Sequence, residues 1–447
     1  MNLNKDLDLD LDIDISLYES IDEYVTENIL QMADPKFHSA LLQEITEQII
    51  IIWQSHNMLI SSGDDDVDVD VDDEVVDDIE IIANKMIDRY FEYSAQNWDI
   101  PIRSHKQWGM ETIQIPNTLA QTIEWLHNIS QPVQRTPEWY AFRHGLITAS
   151  NLAKIFNSEA QRNSLIYEKC QPLITGGSRG MYNGGTNSPM HWGQKYEPVS
   201  IMIYESMFNT RITDFGCIQH PKYPFIGASP DGINCEPEFS RYGRMLEVKN
   251  IVNREIDGIP SKAYWIQMQI QMETCNLDEC DFLETRFVEY PPLDNENQLH
   301  PIYTDDQHGY KGVILYFVER ITLANLGDKN GSPHYEYMPL TVPLDKESAE
   351  AWIAQTRERL RDQWTLYETK YWYLDEFSCV LVERNKSWFS AAVPKIEETW
   401  NTILRERETG YEHRAAKKRS SSIDKTQQLL LGSKSVCLVK LDHSSEE

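Results

Sequence analysis

Met245, Glu247 and Lys249 alternate with Leu246 and Val248, which is the period of a strand. On a strand the two sets face opposite sides, so Leu246 and Val248 enter a core while Glu247 and Lys249 project together from the other face. The apolar run Phe225-Ile226-Gly227-Ala228 leads into Ser229-Pro230-Asp231-Gly232. Pro fixes one dihedral there and Gly permits positive φ, which predicts a tight turn. A hairpin through residues 233 to 244 then returns the chain and sets Asp231 beside Glu247.

Further on, Gly312-Val313-Ile314-Leu315-Tyr316-Phe317-Val318 reads as a buried strand, and residues 336 to 342 as its partner. Residues 346 to 374, with several Trp and Tyr, read as one long helical stretch. Trp352, Trp364, Trp372 and Trp388 are either core residues or platforms for stacked bases. The run from Trp265 to Met272 carries two signals. Strict alternation of Trp and Gln with Ile and Met has the period of a strand, whereas Gln and Met favour helix and Pro260-Ser261 looks like a helix start.

The first hundred residues have another texture. Two tracts, Asp6 through Ile15 and Asp64 through Asp73, alternate Asp with aliphatic residues. Dense Asp opposes strands by repulsion and low β propensity, so both read as unstructured acidic segments. Residues 21 to 56 (Ile21, Tyr24, Val25, Ile29) and 74 to 96 (Ile79, Ile82, Met86, Tyr90) show helical spacing. The organisation expected is an acidic segment at 1–20, an acidic helical module at 21–100 with an Asp-rich loop near 62–73, and a C-terminal helix with a basic, unstructured tail at 386–447. The acidic extension is either a partner-binding or DNA-mimicking element or a solubilising appendage.

Charge qualifies any nucleic-acid role. The formal net charge of the 447 residues is −30. Residues 1–100 hold 26 acids and 4 bases, while the other 347 residues hold 45 acids and 37 bases. The remainder is therefore near balance, and a local basic groove is compatible with it. Lys417-Lys418-Arg419 in the tail could touch phosphates or act as a nuclear signal. The longest apolar run, Ile49 to Trp53, is far too short for a membrane span, and no secretory signal opens the chain. Seven scattered cysteines without a Cys-x-x-Cys pair fit a reducing compartment and argue against structural zinc or an iron–sulfur cluster.

The candidate chemistry lies in the turn and the strand. Two adjacent carboxylates repel unless a cation separates them, and a hard divalent ion takes oxygen ligands. A lysine beside them can hold the attacking water or stabilise charge developing on a phosphate. The bland alternative is an Asp-bearing turn with a surface ion pair.

The order of motifs along the chain decides between these. Pro137-Glu138-Trp139-Tyr140-Ala141-Phe142-Arg143 is followed by Gly145-Leu146-Ile147-Thr148-Ala149-Ser150, then Gly193-Gln194-Lys195-Tyr196-Glu197. Next come the Asp231 turn, Leu246-Glu247-Val248-Lys249, and Ala263-Tyr264-Trp265-Ile266-Gln267-Met268-Gln269. This series, over roughly residues 135 to 290, resembles the lambda-exonuclease or YqaJ-type viral recombinase nucleases of the PD-(D/E)xK superfamily, in the form found in large DNA viruses.

The resemblance implies an α/β fold, with a restriction-endonuclease-like central mixed sheet flanked by helices over 135–385. It implies a metal-dependent deoxyribonuclease, most simply a 5′→3′ exonuclease on duplex DNA with free ends. A related endonuclease, an RNA-degrading nuclease and a non-catalytic binding protein are the alternatives. It implies Mg²⁺ or Mn²⁺, as two ions, held by Asp231, Glu247, the Val248 carbonyl and Glu197. Lys249 would be the catalytic lysine and Gln267 a site glutamine, which favours helix for its segment, with Tyr264, Gln267 and Gln271 on one face. Arg143, Ser150 and Ser229 would hold the 5′-phosphate of a DNA end, with Arg254 a looser candidate. Ser150 reads equally well as a helix N-cap. A strand-annealing protein as partner, a homotrimer, and a location in the host cytoplasm (at a viral factory) or nucleus follow from the same resemblance.

Overall fold

The computed structural model describes residues 11–60, 73–106, 118–132, 136–173, 188–293, 299–320 and 333–416. The Asp-rich stretch at 61–72 and the basic cluster at 417–419 lie outside them. The chain opens with helices α1 (Leu11–Glu27), α2 (Phe37–Ile60) and α3 (Asp73–Asn97), and the short strand β1 (His105–Lys106) follows. Four helices then surround a two-residue strand: α4 (Leu119–Asn128), α5 (Pro137–His144), β2 (Ile147–Thr148), α6 (Ala149–Phe156) and α7 (Glu159–Cys170). Next come α8 (Pro189–Phe208), β3 (Ile218–Gln219), β4 (Ile226–Ala228), β5 (Gly232–Ile233) and β6 (Met245–Asn250). The remainder is α9 (Lys262–Cys275), β7 (Glu279–Glu289), β8 (Lys311–Glu319), β9 (His334–Tyr337), α10 (Lys346–Leu360), β10 (Trp364–Glu383) and α11 (Lys386–Thr409).

The main sheet runs β5-β6-β7-β10-β8-β9, with β1 paired to β10. Only β6 and β7 are parallel, because α9 carries the chain back between them. The other pairs are antiparallel. A smaller sheet, β2-β4-β3, lies beside it and leads directly into the Asp231 turn.

The expected hairpin is present. Gly232 pairs with Leu246 and Ile233 with Met245, and Asn234 N donates to Arg244 O at 2.9 Å. Gly232 is required for a reason other than turn dihedrals. Its φ is not positive, but a Cβ there would collide with Ile212 Cγ2.

Helix α9 resolves its two signals. From Trp265 to Cys275 nearly every residue is buried, because the helix lies between the sheet and helices α6 and α11. A helix enclosed on all sides needs no polar face, so apolar residues at period two are tolerated. Its polar side chains are placed: Gln269 Nε2 donates to Glu383 O at 2.8 Å, and Gln269 Oε1 accepts from Asn385 N at 2.7 Å.

Two expectations are corrected. Residues 346 to 374 are not one helix. Helix α10 ends at Leu360, and Trp364 begins a 20-residue strand. The aromatic and Thr-rich stretch suits a strand, and β10 is held by β8 through its first half and β7 through its second. The four tryptophans that could be either core residues or stacking platforms are core: Trp372 and Trp388 are fully buried, and Trp352 and Trp364 pack partly buried beside Val313, Leu315 and Phe317. The acidic opening is not unstructured throughout either, since α1 begins at Leu11. Leu17, Ile21 and Val25 form one buried stripe at a spacing of four, and that stripe outweighs the surrounding acids.

The N-terminal helices are sewn into the same core as α9 and α11. Trp388 stands edge-on to Trp265, with ring centroids 5.2 Å apart, and its Nε1 donates to Leu30 O at 3.4 Å. The buried Arg103 donates to Ala33 O at 3.0 Å and Pro260 O at 2.5 Å, and its own carbonyl accepts from Trp265 Nε1. Six cysteines among the described residues are free thiols. No helix among the described residues is long and apolar enough to cross a membrane.

Candidate active site

Strand β6 is covered on both faces. Leu246 and Val248 pack with Tyr204 and Leu283 on the side of α8. Glu247 and Lys249 point the other way, toward α9, and Glu247 is completely buried. A buried carboxylate needs partners, and this one has three. Its Oε1 accepts from Gln267 Nε2 at 2.7 Å and from Lys249 Nζ, and its Oε2 accepts from Gln271 Nε2 at 2.7 Å. Gln267 and Gln271 reach one carboxylate because positions four apart on a helix share a face.

Asp231 arrives from the turn after β4. Its Oδ2 accepts from Val248 N at 2.8 Å, which clamps the turn to the middle of β6. Burial first, and then the nearby Glu247, push the Asp231 carboxyl well above its ordinary value; Glu197 on α8 adds to that and Lys249 opposes it. Burial works against the charge on Lys249, but Glu247 and Asp231 more than offset it and hold the ammonium above its usual range. Lys249 Nζ also lies 5.0 Å from the Tyr264 ring. The structure thus brings Asp231, Glu247, Lys249 and Gln267 together, while Glu197 acts on Asp231 through its charge; among the described residues no group of three His, Cys, Asp or Glu side chains is drawn close enough to enclose an ion.

The residues offered for an end-phosphate divide. Arg143, near the end of α5, has Nη1 3.4 Å from Ser229 Oγ, and its guanidinium lies 4.4 Å from the Trp139 ring. Strands β2 and β4 are parallel, with Thr148 opposite Gly227. Ser150 and Ser229 each lie two residues beyond that rung, at the same end of the strand pair. Ser150 is exposed and is the second residue of α6, not its N-cap; Thr148 holds the cap position. Arg254 is engaged elsewhere. Its guanidinium is ion-paired with the fully buried Glu284, which sits opposite Lys249 on β7.

Several residues here carried no signal in the sequence. The Cys217 thiol is buried near the side chains of Ser229 and Arg143, and burial pushes its pKa up. Lys169 Nζ donates to Arg143 O at 2.7 Å, and burial lowers its pKa to about 8. Helical spacing sets Gln271 on the same face as Gln267, but only its long-range bond to Glu247 defines its role.

The donor set suits a hard divalent cation. All the candidate ligands are oxygens: the carboxylates of Asp231, Glu247 and Glu197, and a strand carbonyl. A carboxylate has about four lone-pair sites, two per oxygen. Gln267 and Lys249 occupy Oε1 of Glu247, and Gln271 takes one site on Oε2. One position on Oε2 is left for a cation. Gln271 Oε1 is likewise buried without a hydrogen-bond partner.

The chain thus has a mixed α/β sheet with a helical crossover, an acid at a turn, and an acid and a lysine two apart on a strand. Residues 138–278 match the YqaJ-like viral recombinase domain, the family that the order of motifs resembles. An uncharacterised protein of Acanthamoeba polyphaga mimivirus is 26% identical over 312 residues, covering 63% of this chain and 54% of that protein. The chain therefore spans about half the length of the curated relative it matches. Among solved structures, an alkaline exonuclease from Laribacter hongkongensis aligns at 20% identity and a TM-score of 0.33, covering 66% of this chain and all of that one. A phage-related exonuclease from Haemophilus somnus aligns at 14% identity and 0.31, covering 62% and 99%.

Proposed function

We propose that this chain is a divalent-cation-dependent deoxyribonuclease, acting as a 5′→3′ exonuclease on duplex DNA ends during viral recombination, repair or genome processing. The observation that carries the reading is the convergence of Asp231, Lys249, Gln267 and Gln271 on the buried Glu247. A merely structural ion pair has no use for a second carboxylate forced against the first. The match to a viral recombinase domain and the relative in a large DNA virus support the same reading.

Asp231, Glu247, the Val248 carbonyl and Glu197 would hold Mg²⁺ or Mn²⁺, as two ions. Such an ion supplies charge stabilisation at the scissile phosphate and lowers the pKa of bound water. Lys249, kept protonated by two carboxylates, places a positive charge where the phosphate gains negative charge. Gln267 and Gln271 hold the Glu247 carboxylate in one orientation. Arg143 and Ser229, with Ser150 at the same strand end, would grip the terminal 5′-phosphate; a guanidinium fork suits that task. Arg254, paired with Glu284, would bear on the site through that pair and the Tyr264 ring it shares with Lys249.

The test is digestion of end-labelled duplex DNA with Mg²⁺, using linear 5′-phosphorylated, linear 5′-hydroxyl and closed circular substrates, with Asp231→Ala as control. The reading expects linear DNA to be consumed from its 5′ ends, fastest when phosphorylated, and left intact by the variant. Nicked circles would point to an endonuclease on the same site. Inert DNA together with cleaved RNA would replace the substrate class, and no cleavage of either would leave a binding role. The reading extends to a homotrimer and a strand-annealing partner within the infected cell, in its cytoplasm or nucleus; sedimentation of the full chain checks the trimer.

A further inference from the structure

Helix α1 has two different faces. Leu17, Ile21 and Val25 are buried against α2 and α3. The opposite face carries Glu19, Asp22, Glu23 and Glu27 and lines a groove of about 840 Å³. The other wall comes from α3 and the residues just after it. Tyr93 and Trp98 stand edge-on there with centroids 5.2 Å apart, 57% and 45% exposed. Ile15, 49% exposed, adds a third large apolar side chain. At the floor, Tyr90 donates its hydroxyl to Asp22 at 2.8 Å, so the groove has a fixed shape. No residue of the Glu247 site lines it.

Both features describe an occupant. Exposed aromatics gathered into one concave surface are a feature of interaction sites more than of solvated helices. Four carboxylates against the single base Arg89 make that surface strongly negative. Glu19, Glu23 and Glu27 recur every four residues, with Asp22 beside them, so the carboxylates form a line along α1, not a point where one metal ion would sit. From Ile15 to Glu27 the wall is about 18 Å long, or roughly three helical turns. We propose that the groove between α1 and α3 docks a basic amphipathic helix of a partner protein. Its apolar side chains would enter between Tyr18, Tyr93 and Trp98, and its Lys or Arg side chains would lie over the acidic line of α1. The 26 acids of residues 1–100 would steer such a partner from a distance and disfavour DNA on this face.

The probe is a fluorescent synthetic helix of about 14 residues, with Leu at spacings of three and four flanked by Lys, beside a scrambled peptide of the same composition. Binding to the full chain is read by anisotropy at two salt concentrations. The expected result is that the patterned peptide binds at least about tenfold more tightly than the scrambled one. Tyr93→Ser should weaken it by a similar factor. Glu19→Gln combined with Glu23→Gln and Glu27→Gln should weaken it and flatten its salt dependence, with DNA cleavage and melting temperature unchanged in both variants. Equal binding of the two peptides, or indifference to Tyr93→Ser, would overturn the proposal. A full-length chain with Lys417→Ser, Lys418→Ser and Arg419→Ser that binds the peptide about tenfold more tightly would also overturn it, since the chain's own tail would then be the occupant.

Discussion

Gln271 Nε2 donates to Oε2 of Glu247 at 2.7 Å, so the carboxylate at the centre of the site is oriented from a helix and not only from its own strand. Gln271→Leu keeps the volume and removes the donor, leaving a buried carboxylate oxygen short of a partner. The expected outcome is a 10- to 100-fold fall in single-turnover cleavage, roughly what removing an orienting partner of a metal ligand costs. Mn²⁺ affinity, measured by calorimetry, should fall with it. A variant that loses stability but cleaves at the normal rate per folded molecule would make Gln271 a packing residue.

Arg143 Nη1 and Ser229 Oγ meet at 3.4 Å. Lysine keeps the charge at position 143 but cannot present two parallel donors to a phosphate. Arg143→Lys is therefore expected to reduce the preference for 5′-phosphorylated over 5′-hydroxyl ends by about tenfold while leaving the rate on hydroxyl ends nearly unchanged. Competition between the two labelled ends in one reaction measures this directly.

His220 makes stability depend on pH. It is buried, it stacks on Phe389, and its Nδ1 accepts from the backbone N–H groups of Lys222 and Tyr223. Burial, with Arg384 and Lys222 nearby, lowers its pKa from 6.5 to about 4. Between those values the unfolded chain binds a proton that the folded chain refuses. Its contribution is thus fully present above pH 6.5 and is lost as pH falls toward 4. On the order of 3 kcal/mol is at stake. Denaturant melts of wild type and His220→Asn from pH 7 to 4 should converge as the pH falls.

How much was legible in the chain follows from the range of the interactions involved. Asp231, Glu247 and Lys249 could be read because a Pro-Asp-Gly turn and strand alternation are local patterns. The pairing of Arg254 with Glu284 joins residues 30 apart, and nothing near either one announces it. Cys217 and Lys169 support Arg143 for the same kind of reason. In β10, Trp and Tyr at mixed spacing are compatible with either element, and two neighbouring strands decide the matter. In α1, the density of Asp hid a four-residue repeat of Leu17, Ile21 and Val25.

That repeat makes its own prediction. If α1 is part of the common core, Leu17→Ala should destabilise the whole chain by about 2–5 kcal/mol, as core truncations do. Chemical denaturation followed by tryptophan fluorescence would show one transition shifted. An unchanged midpoint would mean that α1 is an appendage.

The central claim is that Lys249 acts on the phosphate while the carboxylates beside it hold the cation. Lys249→Gln separates the two, because it removes the charge and leaves Asp231 and Glu247 in place. Single-turnover cleavage of a linear 5′-phosphorylated duplex, run beside Mn²⁺ titration of the same preparation, is the most direct measurement. The account predicts that cation binding is kept while cleavage falls by about 10²–10³-fold, the loss typical of removing one transition-state charge partner. A folded Lys249→Gln protein that binds Mn²⁺ and cleaves at the wild-type rate would contradict it.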